Sequence, residues 1–363
     1  MILFALLACV PDTFDVSADD YLTRKPSPDA MVNADGLYNG GWFDSFDGTI
    51  NPEDSIGRAG AFKGWLHFSL QNDDRTLSVN LADMNNVGNT AITVLDNATG
   101  EQHVHSVNDA FGKNAISLNA DFTESSDANN GNFIRVVDGG QRLEFDVSAG
   151  DIRIAGSAAK LFSDEFVQIS RFHDGYGQLQ WYGKLQVESA TLTLPEGDIA
   201  LGSETLGAYD RMAGHRRTAQ AWNWLTTVGP AVRESDGAEV MIGVEITTER
   251  EGSQPLVDTK KHGVWIGDTF KKIPSANFTL SGDYEVVEPG SDWTIASDDG
   301  DEDRVDLVFH PQAVRTDEVG YLWFYYTDFH QFSGRVSGTI EMDGEIYTID
   351  DLPALAEDSS LIL

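Results

Sequence analysis

The chain has a single cysteine, Cys9, among 363 residues. No disulfide can form within it, and a multi-cysteine zinc site is excluded. Cations are scarce: 24 Lys and Arg stand against 59 Asp and Glu, for a net charge of −35. Such a balance repels phosphate backbones and anionic headgroups over a Debye length, which argues against a nucleic-acid partner. The acid excess reads either as a solvated surface or as an acid-coded partner interface. No run of 18 apolar residues occurs, so no membrane-spanning helix is expected.

The short catalytic motifs are missing as well. There is no Gly-x-Ser-x-Gly elbow, no phosphate-cradling Gly-x-x-x-x-Gly-Lys-Ser/Thr and no His-Glu-x-x-His. His103 and His105 alternate in "QHVHS" and project to one face of a strand, as a metal pair would, but no third ligand is apparent. Neither a metal nor an organic cofactor is expected. Asp-rich pieces such as "NDDR", "DANNGN" and "DDGDED" read as turns; in the second, Gly131 is out of step with a calcium loop.

What is present is ordinary globular material, 41 % hydrophobic and 10 % aromatic, in a chain longer than one core usually requires. Its hydrophobic pattern has period two. "TLSVNLA" places Leu77, Val79 and Leu81 on one face, and "RVDLVF" does the same with Val305, Leu307 and Phe309. Asp343-Gly344 and Gly267-Asp268 supply two-residue hairpin loops, the former suited to a type I′ turn. No amphipathic helix longer than about three turns is found, so the chain reads as all-β.

"QWYGKLQV" from Gln180 and "QFSGRVSG" from Gln331 share Gln, aromatic, any residue, Gly, basic, aliphatic, each before another strand-like run. This weak repeat divides the chain into two similar β domains, 34–197 and 198–352, each ending in a hairpin, with a tail at 353–363. Residues 10–33, with Pro11, Pro26 and Pro28, read as a tether. Ahead of them "MILFALLACVPD" resembles a bacterial lipoprotein signal over 1–9 ending at a lipidated Cys9, although it has no basic n-region. The first expectation is therefore attachment to the cell envelope through a lipid anchor; the alternative is an untargeted, cytoplasmic chain.

"FSLQNDDRTLSVNLADMNNVGNTAITVLDNATGE" contains Ala82-Asp83-Met84, then Gly88, then the Thr99-Gly100 turn. "LGAYDRMAGHRRTAQAWNW", "HGVWIGDTFKKI", "DWTIASDDGDEDRVDLVFHP" and "QFSGRVSGTIEMDGEIYTI" follow in order. This ordered set resembles the bacterial domain of unknown function 2804 family, allied to hydroxyneurosporene synthase (carotenoid 1,2-hydratase) and related lipocalin-like proteins. The resemblance implies two lipocalin-like antiparallel β-barrel domains packed together, with an apolar ligand, lipid- or isoprenoid-like, held in a barrel or between them. It implies no particular reaction.

Candidate site residues concentrate in "YDRMAGHRRTAQAWNW", from Tyr209 to Trp224. Alternation puts Trp222 and Trp224 on one face of a strand, opposite Asn223 and Leu225, either lining a cavity or filling a core. Asp210 reads as a general acid or as a turn residue paired with a nearby Arg; it can hold a proton near neutrality only if the Arg side chains point away. His215 and Arg217 lie in the same stretch, His215 as a proton exchanger or a solvated turn residue. His173 with Tyr176, and Glu245 in "MIGVEITTE", complete the set, Glu245 being either at the site or facing solvent. The first functional expectation is the binding of an apolar small molecule. The second is a cofactor-independent hydratase or cyclase in which Asp210 protonates an alkene and the Trp rings stabilise the cation. A purely structural module is the third.

Overall fold

The computed structural model describes residues 17–56, 62–84, 87–110, 116–118, 124–127, 132–172, 175–215, 219–250, 260–281, 291–321 and 325–362. Cys9, His173 and Arg217 lie outside them. The all-β expectation stands: two curled antiparallel sheets, each a half-barrel, carry the chain, and helical structure among the described residues is limited to short 3-10 turns at Ala18–Tyr21 and Pro52–Asp54. The "NDDR" and "DDGDED" pieces join consecutive strands, as Asp-rich turns should.

Among the described residues the first sheet has 14 strands. Its centre runs Arg75–Asp83, Phe62–Gln71, Leu206–His215, Gly177–Leu194, Ile152–Lys160, Arg142–Ala149. The second has nine, with Glu239–Glu249, Ala219–Arg233, Glu345–Ile362, Tyr325–Met342 and Arg304–Tyr321 adjacent in that order. Strict alternation sorts each strand's side chains into two sets. In the first sheet Leu66, Phe68, Leu77, Val79, Leu81, Leu185 and Tyr209 pack into the hollow of the half-barrel. In the second, Leu225, Ile242, Val244, Val305, Leu307 and Phe309 do the same.

The opposite faces meet each other. Trp42, Phe162, Phe166 and Tyr182 from the first half pack on Val228, Trp265 and Phe270 from the second. Phe166 stacks on Phe270 at 4.5 Å between ring centroids, and the Trp265 indole donates to the Asp164 carbonyl at 2.8 Å. The halves are thus joined through a buried layer rich in rings, whose large area per side chain makes it a strong adhesive.

The repeat has a physical basis. Gln180 and Gln331 each begin the shared pattern within an 18-residue strand, Gly177–Leu194 and Tyr325–Met342, which turns back through a hairpin. In both strands the glycine lies under an aromatic ring: a Cβ at Gly183 would come within 2.4 Å of the Tyr209 ring, and one at Gly334 within 2.8 Å of Phe309. At the second hairpin Asp343 and Gly344 have φ of 53° and 75°, the type I′ arrangement expected. At the Gly267-Asp268 loop only Gly267 has positive φ, 58°, as in type II′. Gly344→Ala is expected to cost about 1 kcal/mol, read as a lowered urea midpoint, because alanine is strained there and the space around it is open.

Three sequence boundaries are corrected by strand pairing. Leu206–His215 lies between Gly177–Leu194 and Phe62–Gln71, so the first half extends to His215 rather than 197, and the chain changes sheet after it. Residues 353–362 are no tail, since Glu345–Ile362 is an interior strand of the second sheet. Nor is the segment before 34 wholly a tether: Tyr21, Met31 and Val32 are buried, and Arg24, Ala30 and Val32 form bridges to Trp42, Thr49 and Tyr38. Each error has one cause: proline and polar residues weaken the local signal, while burial is conferred by strands distant in sequence.

Candidate active site

Alternation that sends Tyr209 and Arg211 into the first half-barrel turns Asp210 towards the second sheet. Arg211 accordingly pairs with Asp138 at 3.4 Å on the far face. Antiparallel pairing then aligns Tyr182, Asp210, His67 and Asn80 across three strand pairs, in one row. The next row on that face holds Gln180, Met212, Trp65, Ala82, Asn89 and Asn108. Facing them, the second sheet presents Lys261, Thr247, Trp224, Glu357, Gln331 and Arg315 in one row, and Trp222, Ser359, Phe329 and Asp317 in another.

Between these rows lies a cavity of about 120 Å³, lined among others by Trp65, His67, Tyr182, Asp210, Trp222, Trp224, Phe329 and Glu357. This cavity lies between the two sheets rather than inside either half-barrel. Both cations in its described lining are occupied: Lys261 bonds Glu249 at 3.1 Å, and Arg315 bonds Asp317 at 2.6 Å.

Three indoles are each tied to a carboxylate. Trp65 Nε1 donates to Asp210 Oδ2 at 2.9 Å, Trp222 Nε1 to Glu357 Oε2 at 3.0 Å, and Trp224 Nε1 to Glu245 Oε1. These bonds fix ring orientation, because a buried indole N–H that lacked its acceptor would be costly. The carboxyls differ in what else they hold. Glu245 is paired with Lys184 Nζ at 2.9 Å and receives the Thr226 hydroxyl at 3.0 Å. Glu357 also accepts from Gln331 Nε2 at 2.9 Å. Asp210 Oδ1 is buried with no hydrogen-bond partner.

Burial is the main cause that raises the Asp210 pKa to about 8. The negative charges of Glu245 and Glu357 add to it, while the Trp65 N–H and Lys261 oppose it. At neutral pH Asp210 is therefore a carboxylic acid with a proton to give. Glu357 is also raised, again chiefly by burial. His67 is lowered to about 4 by burial, with its bond to Asn80 opposing the shift and the charges of Arg315 and Lys184 reinforcing it.

Of the residues singled out from sequence, Asp210, Trp222 and Trp224 meet in the cavity. Asp210 is in mid-strand rather than in the turn expected at "RMAGHRR", and its strand runs on through His215. Glu245 is buried rather than solvent-facing, and acts behind the cavity wall by holding Trp224 and Lys184. His215 is not brought to the cavity: it ends its strand, with Nδ1 at 2.9 Å from the Tyr38 hydroxyl. Tyr176 lies in the turn before Gly177, its carbonyl accepting from Phe172 N, away from the cavity lining. His103 is beside Glu196 at 3.2 Å.

Sequence reasoning missed Trp65, His67, Lys184 and Glu357. A signal for the first two was available in "KGWLHFSLQ", where Trp65, His67, Ser69 and Gln71 alternate with Leu66, Phe68 and Leu70. A polar face opposite an aliphatic one ordinarily means solvent, and here it means a second sheet. Among the described residues Glu318, Asp328 and His330 have metal-ligand spacing, but they lie on the face away from this cavity, and His330 Nε2 is 2.7 Å from Asp328.

Two of the solved structures that the chain resembles align with most of it. Kievitone hydratase from Nectria haematococca is 16 % identical, with 93 % of this chain and 96 % of that one covered and a TM-score of 0.45. An AttH-like protein from Nitrosomonas europaea is 11 % identical, with 85 % and 95 % covered and a TM-score of 0.44. No curated protein matches the chain. The profile of the domain of unknown function DUF2804 matches residues 23–361, and by that match, which spans both sheets and every residue of the cavity, the chain belongs to the DUF2804 family.

Proposed function

We propose that the inter-sheet cavity binds a neutral apolar alkene and that Asp210 acts on it as a general acid. A single observation carries the reading: a fully buried carboxyl, protonated at neutral pH, has one oxygen without a partner in the wall of a cavity that three indoles also line. The paired state of Lys261 and Arg315 favours a neutral ligand over an anion.

In the step proposed, the Asp210 O–H bond breaks as a C–H bond forms at one alkene carbon, leaving a cation at the other. The faces of Trp222 and Trp224, held by Glu357 and Glu245, stabilise that cation, and the new Asp210 carboxylate attracts it. Water or an internal nucleophile then completes the reaction, so no cofactor enters this scheme. Binding of the alkene without chemistry is the coarser form of the same function.

The test uses farnesol as probe in D₂O. Wild type is expected to place deuterium on carbon, in product or in recovered alkene. Asp210→Asn should lower that incorporation about 100-fold while still binding farnesol, since Asn keeps an acceptor for Trp65 and loses only the proton. Farnesol bound by both proteins but deuterated by neither would leave binding alone. Equal deuteration by both would assign the acid elsewhere.

A further inference from the structure

We propose that His67 is the second catalytic residue of this cavity: its Nε2 accepts the proton of the water that adds to the carbon cation, making the reaction a hydration or its reverse rather than a cyclisation. The inference rests on the reading of Asp210 as the acid.

Position comes first. Asp210 and His67 are directly opposite on neighbouring antiparallel strands, so their side chains leave the same face with Cβ atoms about 5 Å apart. Each contributes one buried polar atom with no hydrogen-bond partner, Asp210 Oδ1 and His67 Nε2. Both residues line the same cavity. A donor atom and an acceptor atom are thus set side by side in the wall of the cavity. Buried groups left unmatched in this way call for a partner that the neighbouring side chains do not supply.

The tautomer is dictated by a chain of bonds that begins at a group able only to donate. Arg315 Nη1 is 3.5 Å from Gln331 Oε1, which fixes the orientation of that amide, and Gln331 Nε2 donates to Glu357 Oε1 at 2.9 Å. Gln331 Oε1 therefore accepts the Ser78 hydroxyl, at 2.6 Å. Ser78 Oγ in turn accepts from Asn80 Nδ2 at 3.3 Å, so it is Asn80 Oδ1 that faces His67 Nδ1, at 2.8 Å. Nδ1 must carry the hydrogen, and Nε2 keeps its lone pair. The ring is further held edge-on to Trp224, with centroids 5.3 Å apart. The groups acting on it are Asp210 and Asn80 from its own sheet, Trp224 and Arg315 from the opposing one, and the Lys184 charge from within the first sheet.

The proton balance closes. Asp210 gives its proton to carbon; the water oxygen bonds to the cation; the proton released from that water goes to His67 Nε2. The imidazolium then returns the proton to the Asp210 carboxylate across the strand pair. The net change is addition of one water across one C=C bond, with both residues restored. The return runs downhill, from a group with a pKa of about 4 to one at about 8.

Two measurements decide the matter. In ¹⁵N-histidine NMR, with His67 assigned through His67→Gln, Nε2 should be unprotonated at neutral pH and stay so to below pH 5. An Nε2–H tautomer, or titration near pH 6.5, overturns the proposal. The second uses geraniol, farnesol and squalene as probes in H₂¹⁸O and, separately, in D₂O. His67→Gln should lower ¹⁸O-alcohol formation about 100-fold while deuteration of recovered alkene persists. Asn80→Leu, which leaves the ring but frees its tautomer, should give a smaller loss of ¹⁸O-alcohol and guards against a folding defect in His67→Gln. Unchanged ¹⁸O-alcohol in both variants, or cyclised product without ¹⁸O from wild type, rejects the role of His67 and leaves that of Asp210 standing. Undiminished deuteration by Asp210→Asn, or neither isotope in any product of wild type, rejects the acid reading and this inference with it.

Discussion

Asp210→Asn is expected to remove a loss of stability that wild type undergoes between about pH 4 and pH 8. In the unfolded chain Asp210 titrates near its ordinary value, whereas in the fold burial moves it to about 8. Within that window the folded state keeps a proton that the unfolded state has released. Raising the pH therefore favours unfolding, by about tenfold in the equilibrium constant per pH unit and by an amount on the order of 5 kcal/mol over the whole range. Glu357, also raised, acts in the same direction. His67 acts in the opposite sense below about pH 6.5, where the unfolded chain takes up a proton that the buried ring refuses. The comparison of variant with wild type isolates Asp210, because Asn can still accept the Trp65 N–H. Urea midpoints taken from pH 5 to pH 9 should show the variant gaining on wild type as pH rises, with the gain levelling off above pH 8. A constant difference would mean that Asp210 is ionised in the folded protein, and the proposed acid would have no proton to give.

Lys184→Met is expected to cost about 3–5 kcal/mol, and the double variant Lys184→Met, Glu245→Gln to recover most of it. The two side chains are 0 % and 1 % exposed, and the ammonium group bonds Glu245 at 2.9 Å, the Val244 carbonyl at 2.7 Å and the Thr226 hydroxyl at 2.5 Å. It also lies 5.1 Å over the Trp265 ring. Burial lowers the Lys184 pKa while Glu245 opposes that shift, so the ammonium persists only because its partner is present. Removing Lys184 strands a carboxylate in a dry layer; making Glu245 neutral at the same time relieves that penalty and retains an acceptor for Trp224. A urea double-mutant cycle measures both numbers. A single variant as stable as wild type would show that the pair carries no charge in the fold.

These two residues illustrate what could be read before folding. Lys184 stands in the repeat, at the position matched by Arg335, and the repeat correctly marked two long, glycine-containing strands. It could not mark Lys184 as buried: Arg335 is partly exposed and bonds the Asp351 carbonyl at 3.0 Å. The same pattern yields different environments because Lys184 lies between the packed sheets, whereas Arg335, on the face that also looks across to the other sheet, lies at the rim beside the exposed Asp73, 3.4 Å away.

Period-two alternation determined the strands, their hairpins and the sorting of Leu77, Val79 and Leu81, or of Trp222 and Trp224, onto single faces, because that period is a property of the extended backbone itself. What only the tertiary structure decided is which faces are covered by protein. A strand with one aliphatic and one polar or aromatic face is written identically whether the second face meets water or another sheet. Packing the half-barrels together buried Asp210, His67, Lys184 and Glu357, brought residues from separate halves of the chain into one cavity, and withdrew the water that would have kept Asp210 an ordinary carboxylate. His215 and Glu245, equally plausible from sequence, were separated from that cavity by the same geometry. One was placed at a strand end against Tyr38, and the other behind the Trp224 wall, since register between distant strands, unlike alternation within one, depends on the fold as a whole.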